Sequence, residues 1–152
     1  MMKLVNFSTS ILLLLFIFSV NSVQAAEQTY TGYFSNKAAS GFDVVSYFSA
    51  QKPVKGLAAF SLEYKGADWY FSSQENLHKF KNNPAYFSPQ YGGYCAWAMA
   101  SNKTAPGNVP FWTIYQDKLY LNYDRKIQTS WLADKDAFIN KADINWAKID
   151  KE

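Results

Sequence analysis

The strongest constraint on this chain is a pattern that alternates every two residues and occurs twice. Phe60-Ser61-Leu62-Glu63-Tyr64 alternates large apolar with polar side chains, Lys65-Gly66-Ala67-Asp68 interrupts it, and Trp69-Tyr70-Phe71 resumes. This predicts two antiparallel strands with one buried face, joined by a short turn. Phe111 to Tyr115, Gln116-Asp117 and Lys118 to Tyr123 repeat the pattern. Each hairpin leads into helical periodicity. Ser72 and Glu75 read as a capping box opening a helix that turns Leu77 and Phe80 inward and stops near Asn83-Pro84, where a second helical turn starts. Ile127 and Trp131 stand one helical turn apart, the chain breaks near Asp134, and an amphipathic segment follows through Phe138, Ala142 and Trp146. Trp69-Tyr70-Phe71 matches Leu119-Tyr120-Leu121 in position, a likeness too weak to prove duplication. The expected fold is α+β: one small domain of antiparallel β-hairpins with short helices packed on one side.

The first third of the chain divides differently. Lys3, the apolar run from Ile11 to Val20 and Val23-Gln24-Ala25 have the form of a secretory signal, so residues 1–25 are read as a removed signal peptide. The apolar run is about half the roughly 20 residues a spanning helix needs, so no stable membrane anchor is expected after cleavage, and the destination is the periplasm or the exterior. Residues 26–40 read as a partly ordered extension with Tyr30, Tyr33 and Phe34 as anchors, and residues 41–148 as the domain. Gly41 to Phe48 reads as a short strand bounded by a turn from Gln51 to Gly56. Loss of Lys3 takes the net charge from +3 to +2, with both signs scattered, which gives no argument for nucleic acid. The single cysteine makes no internal disulfide, so packing must hold the domain, and its 12 Phe, 11 Tyr and 5 Trp supply the material.

Chemistry concentrates in Pro89-Gln90-Tyr91-Gly92-Gly93-Tyr94-Cys95-Ala96-Trp97-Ala98-Met99-Ala100. This stretch holds the sole cysteine and the sole methionine outside the extreme N-terminus. A helix starting close to Cys95 puts Cys95 and Met99 on one face. Its N-terminus would lower the thiol pKa; the competing reading is a buried thiol packed under Tyr94 and Trp97 as a small apolar group. With one Cys, one Met and one His after the signal, blue-copper and structural zinc sites are excluded within one chain. A two- or three-coordinate Cu(I) site from Cys95 and Met99, with His78 as third ligand, stays open. His78, beside Lys79 and Lys81 on the first helix, also reads as a plain surface residue. Hydrolase chemistry lacks a triad or G-x-S-x-G. The pairs Asp134/Asp136 and Asp117/Asp124 read as capping residues, and Tyr91-Gly92-Gly93-Tyr94 lacks the spacing of a phosphate loop or dinucleotide fingerprint. An apolar pocket flanked by Tyr91, Tyr94, Trp97, Phe111 and Trp112, rimmed by Lys103 to Pro106, is a further option.

Three segments together, Gly41 to Phe48, Trp69-Tyr70-Phe71-Ser72-Ser73 leading to Phe80, and Tyr91-Gly92-Gly93-Tyr94-Cys95-Ala96, resemble exported YHS-domain proteins over nearly all of the chain after the signal. The resemblance implies a YHS-like domain over 41–148 and a small module, some members being associated with heavy-metal handling. Some exported relatives are selenoproteins, with selenocysteine at the position of Cys95, which implies a reactive or soft-ligand group there. Metal-binding relatives carry cysteines at positions matching Ser46, Ser72 and Asn76, so their thiolate cage is absent here.

The leading expectation is an exported, non-enzymatic binding module. Its site centres on Cys95 and Met99, with Tyr91, Gly92, Gly93, Tyr94 and Trp97 around them, for a soft metal ion such as copper as Cu(I) or for a small molecule. Two alternatives stay open: a thiol redox protein in which Cys95 pairs with an outside thiol partner, and an interaction domain with an inert Cys95.

Overall fold

The computed structural model describes residues 28–149, so the signal-like residues 1–25 lie outside the described residues. A 3-10 turn at Ala38–Gly41 leads to β1 (Phe42–Asp43), α1 (Ser46–Ser49), β2 (Val54–Lys55), β3 (Leu57–Tyr64), β4 (Ala67–Phe71), α2 (Gln74–Asn82) and α3 (Pro84–Phe87). A second 3-10 turn at Gln90–Gly93 leads to α4 (Ala96–Met99), β5 (Asn108–Tyr115), β6 (Lys118–Asn122), α5 (Arg125–Ala133) and α6 (Lys135–Ile149). The class is α+β. The strands form three antiparallel pairs, β1 with β2, β3 with β4 and β5 with β6.

Both hairpins close as the alternation predicts. Leu62 pairs with Trp69 and Tyr64 with Ala67; Thr113 pairs with Tyr120 and Tyr115 with Lys118. Each loop is two residues with positive φ, Lys65-Gly66 and Gln116-Asp117, the handedness whose twist matches the flanking strands. In both, the register shifts toward the start of the first strand, between Leu57 and Ser61 and between Asn108 and Trp112. The second hairpin therefore begins at Asn108, earlier than the expected Phe111, and takes Pro110 into the strand at the irregular stretch.

The likeness of the two halves goes well beyond the sequence pattern. β3 and β5 have 8 residues each, β4 and β6 have 5, and α2 and α5 have 9. All three pairs start at one constant offset. Ser73 caps α2 by accepting the Asn76 N–H, and Asp124 caps α5 by accepting the Ile127 N–H. Before each unit, three consecutive residues are left-handed: Ala39, Ser40 and Gly41 at φ 47, 52 and 75, and Tyr91, Gly92 and Gly93 at 57, 60 and 89. The fold repeats one hairpin-and-helix unit. The equivalence pairs Trp69 with Tyr120, one place later than the sequence match suggests.

Three expectations are corrected. The run Gly41 to Phe48 is strand only at Phe42–Asp43 and then turns into α1, because the Asp43 carboxylate accepts the Val45 N–H and the Ser46 hydroxyl donates to the Asp43 carbonyl, local bonds that compete with an extended chain. The helix cap is Ser73, since Ser72 is engaged by Asp43. Tyr33 and Phe34 anchor nothing in this chain and are 94% and 103% exposed.

Two cores result, divided by β6. Val44, Tyr47, Trp69, Phe71 and Phe80 form the first with Leu119 and Leu121; Tyr91, Met99, Trp131 and Ala142 form the second with Tyr120. Alternation along β6 sends its side chains to opposite faces, which joins the units through one strand.

Candidate functional site

Each unit holds a buried polar centre at the start of its first helical turn. In the first, Asp43 is fully buried. One carboxylate oxygen accepts the Val45 N–H at 2.9 Å; the other accepts the Ser72 N–H at 2.8 Å, the Ser72 hydroxyl at 2.6 Å and Asn76 Nδ2 at 2.7 Å. Ser46 Oγ donates to the Asp43 carbonyl at 2.6 Å and accepts the Val54 N–H at 3.1 Å. Ser46, Ser72 and Asn76, where the resemblance places cysteines, thus meet at one residue, Ser72 and Asn76 on the Asp43 carboxylate and Ser46 on the Asp43 carbonyl. Hydrogen bonds organise the first unit at this point.

In the second unit the corresponding position is Cys95. It precedes α4 as its N-cap residue, its N–H donates to Ala105 O at 2.9 Å, and it is 1% exposed. Its thiol faces Asn122 Oδ1 at 3.8 Å, and the same Oδ1 accepts the Trp97 N–H at 3.4 Å. Asn122 is fully buried and its Nδ2 has no hydrogen-bond partner. Burial pushes the Cys95 thiol pKa up, opposed by main-chain hydrogen bonds from Ala98, Tyr123 and Trp97. The lowering expected from the helix start is real in direction and is outweighed by desolvation. Met99 follows one turn later, fully buried in the second core, with its N–H on the Cys95 carbonyl at 3.0 Å. His78 is exposed on α2, with Nε2 2.9 Å from Gln74 Nε2. Among the described residues no three His, Cys, Asp or Glu side chains gather as a metal cluster.

The aromatic residues of the motif divide between two places. Tyr91 is held by its hydroxyl donating to Asp143 at 2.8 Å, and Tyr94 packs on Tyr30 at 5.3 Å between ring centres. Trp97 is half-buried against Phe138, whereas Trp112 packs on Tyr47 in the first core and Phe111 lies under the Arg125 guanidinium. The five therefore do not line a common pocket. A cleft of about 150 Å³ opens instead beside Tyr91 and Gly92, lined also by Gln28, Trp69, Pro89 and Trp146. The chain before β1 forms one of its walls: the Tyr30 N–H donates to Gly92 O at 2.9 Å, and a Cβ at Gly92 would meet Gln28 O at 2.1 Å. Of the carboxylates read as caps, Asp124 caps α5, Asp134 ends it, Asp117 forms the hairpin loop, and Asp136 accepts the Tyr115 hydroxyl.

Asn122 is the site residue that sequence reasoning missed. A signal existed: Leu119-Tyr120-Leu121-Asn122 ends an apolar strand on an amide at an inward position.

Fold and site together define a small α+β module of two like units, with a buried polar centre in each. A family model, the YHS domain, matches residues 45–91, which supports reading the chain as a YHS-domain protein. The match takes in most of the first unit and ends four residues before Cys95. Comparison with curated proteins and with solved structures returned no match.

Proposed function

We propose that the protein is an exported, non-enzymatic binding module whose second unit holds a soft metal ion, Cu(I) being the best match, through Cys95 and Met99. One observation carries this reading. Cys95 is buried at the start of α4 with Met99 buried one turn on, and the equivalent place in the first unit holds a carboxylate. Metal binding displaces the thiol proton, so the sulfur would be held as the thiolate once the ion is bound. Met99, buried one turn on, adds a thioether suited to the same soft ion. Low coordination numbers fit the small donor set. When bound, the ion would supply the charge that compensates a buried thiolate, and the chain's own part is to exclude water and hold the sulfur. The association of YHS domains with metal handling supports the reading, and the composition of residues 1–25 supports export. No helix among the described residues is long and apolar enough to cross a membrane.

The thiol-redox alternative fits less well, because burial pushes the thiol pKa up and so depletes the thiolate that reacts. Anaerobic alkylation of Cys95, with and without Cu(I) and with Cys95→Ser as blank, tests the proposal. Protection by Cu(I) that weakens in Met99→Leu is expected. Equal rates with and without Cu(I) would remove the metal reading, and reaction only on unfolding in both would leave Cys95 as core.

A further inference from the structure

The first hairpin leaves one edge of its sheet open beside a groove. β3 pairs with β4 alone, and no further strand lies on its outer side among the described residues. The two-residue loop closes on the pair Tyr64 and Ala67, so hydrogen-bonded pairs recur at Leu62 with Trp69, and the main-chain N–H and C=O of Ser61 and Glu63 point away from β4. Between this edge and α2 runs a groove of about 390 Å³, lined by Leu62, Tyr64, Leu77 and Phe80, with Glu63 and Lys81 at its sides. The second unit fills the same place with its own chain. At the constant offset between the units, Ser61, Leu62 and Leu77 correspond to Trp112, Thr113 and Gln128. Gln128 is buried, and its Nε2 donates to the outward carbonyl of Trp112 at 2.7 Å and to Thr113 Oγ1 at 3.3 Å. The Tyr115 hydroxyl, equivalent to that of Tyr64, donates to Asp136, where the first unit has Ala85. Leu77 and Ala85 carry no polar side-chain group, so β3 keeps an open edge with an apolar groove beside it.

We infer that this edge is a docking site for an extended segment of a partner protein, which joins the sheet as a third strand beside β3, sets apolar side chains at alternate positions into the groove and brings a carboxylate to Lys81. Main-chain hydrogen bonds to Ser61 and Glu63 fix the register, and the partner's N–H takes for Ser61 the part that Gln128 Nε2 plays for Trp112. Alternate side chains of an added strand fall on one face, which matches the apolar wall of Leu62, Leu77 and Phe80. Charge selects the partner. Lys79 is paired with Glu75 at 2.6 Å, whereas Lys81 makes no ion pair among the described residues. A second copy of β3 is a poor occupant, because its one carboxylate, Glu63, stands on the solvent face, opposite to Leu62 and Tyr64. Against Glu63 itself the added strand is expected to place a basic side chain. The site shares no residue with the Cys95 and Met99 centre.

The inference is independent of metal binding, and its test is run on metal-free protein. Random nonapeptides displayed on phage are selected on the full chain, and the enriched peptide is synthesised and titrated by fluorescence anisotropy. Expected are apolar residues at alternate positions with an acidic one on the same face. Binding is expected to weaken about tenfold or more in Leu77→Gln, which copies the filled groove of the second unit, and in Lys81→Glu, at an exposed position. Cys95→Ser is expected to bind as the wild type does. Two further peptides carry N-methyl groups on alternate amides, one in each phase; the phase facing β3 is expected to lose binding and the other to keep it. No enriched peptide, equal binding by either groove variant, or binding that survives both N-methyl phases would overturn the inference. A concentration-dependent dimer of the chain alone that Leu77→Gln abolishes would assign the edge to a second copy and equally overturn it.

Discussion

Replacing Asp43 is the perturbation whose size the structure specifies best. The carboxylate accepts the Val45 N–H and the Ser72 N–H, and it also takes the Ser72 hydroxyl and Asn76 Nδ2, all at 2.6 to 2.9 Å. These bonds tie the β1–α1 turn to the junction of β4 and α2. Asp43→Ala orphans four donors, and each donor left unpaired in the interior costs about 1–3 kcal/mol. Ser72 and Asn76 are only partly buried, so water relieves their share, and the expected loss is about 3–5 kcal/mol. Against a total stability of about 5–15 kcal/mol for a domain, that is a large fraction. Ser72→Ala, which removes one hydroxyl and keeps its N–H bonded, is expected to lose only about 1–1.5 kcal/mol. Asp43→Asn keeps the shape, turns an Nδ2 toward a donor, and falls between the two. Urea unfolding followed by tryptophan fluorescence measures all three. An Asp43→Ala midpoint corresponding to less than about 1 kcal/mol, or Ser72→Ala losing as much as Asp43→Ala, would refute the reasoning.

Other consequences follow from the same geometry. Burial raises the pKa of Tyr47 and Tyr91, and that of Tyr120 to about 12; below pH 10 these phenols are neutral in both folded and unfolded chains. Above it the unfolded phenols ionise first, so stability falls from about pH 10 through the raised folded values, by up to about 1.4 kcal/mol per pH unit per tyrosine; a stability flat between roughly pH 9.5 and 11.5 in urea titrations would contradict this. Gly92→Ala places a Cβ against Gln28 O at a position with φ 60, so the segment around Tyr30 is expected to lift from the turn and become the first site of limited proteolysis, with about 1–2 kcal/mol lost; unchanged cleavage would refute it. Phe80→Ala empties a fully buried site stacked on Trp69 and Phe71 and is expected to lose about 3–5 kcal/mol in the same urea assay. His78→Gln, on an exposed helix face, is expected to leave both stability and Cu(I) protection of Cys95 unchanged.

What could be read from the sequence was local. Both hairpins show because alternation and a two-residue loop lie within one short window, and Phe80, Trp131 and Ala142 fall inward as the helical spacing requires. Asp43 defeats local reading: its partners Ser72 and Asn76 stand 29 and 33 residues away. The β-rich run around it looks like a strand until those bonds and the Ser46 hydroxyl turn it into α1. Cys95 and Met99 were legible as a pair one turn apart. Their setting was not, because Asn122 is 27 residues further on in sequence and arrives only when β6 divides the two cores. The repeat was visible as a pattern of elements, but the side chains differ so much between the units, with Asp43 opposite Cys95, that only backbone geometry fixes the equivalence.

The most direct test of the central claim, that Cys95 and Met99 form a soft-metal site, is an anaerobic competition titration of the chain against a chromophoric Cu(I) chelator. The account predicts uptake of a single equivalent, abolished in Cys95→Ser and weakened in Met99→Leu, with both variants folded by circular dichroism. No competition by the wild-type chain, or the same uptake in Cys95→Ser, would contradict it.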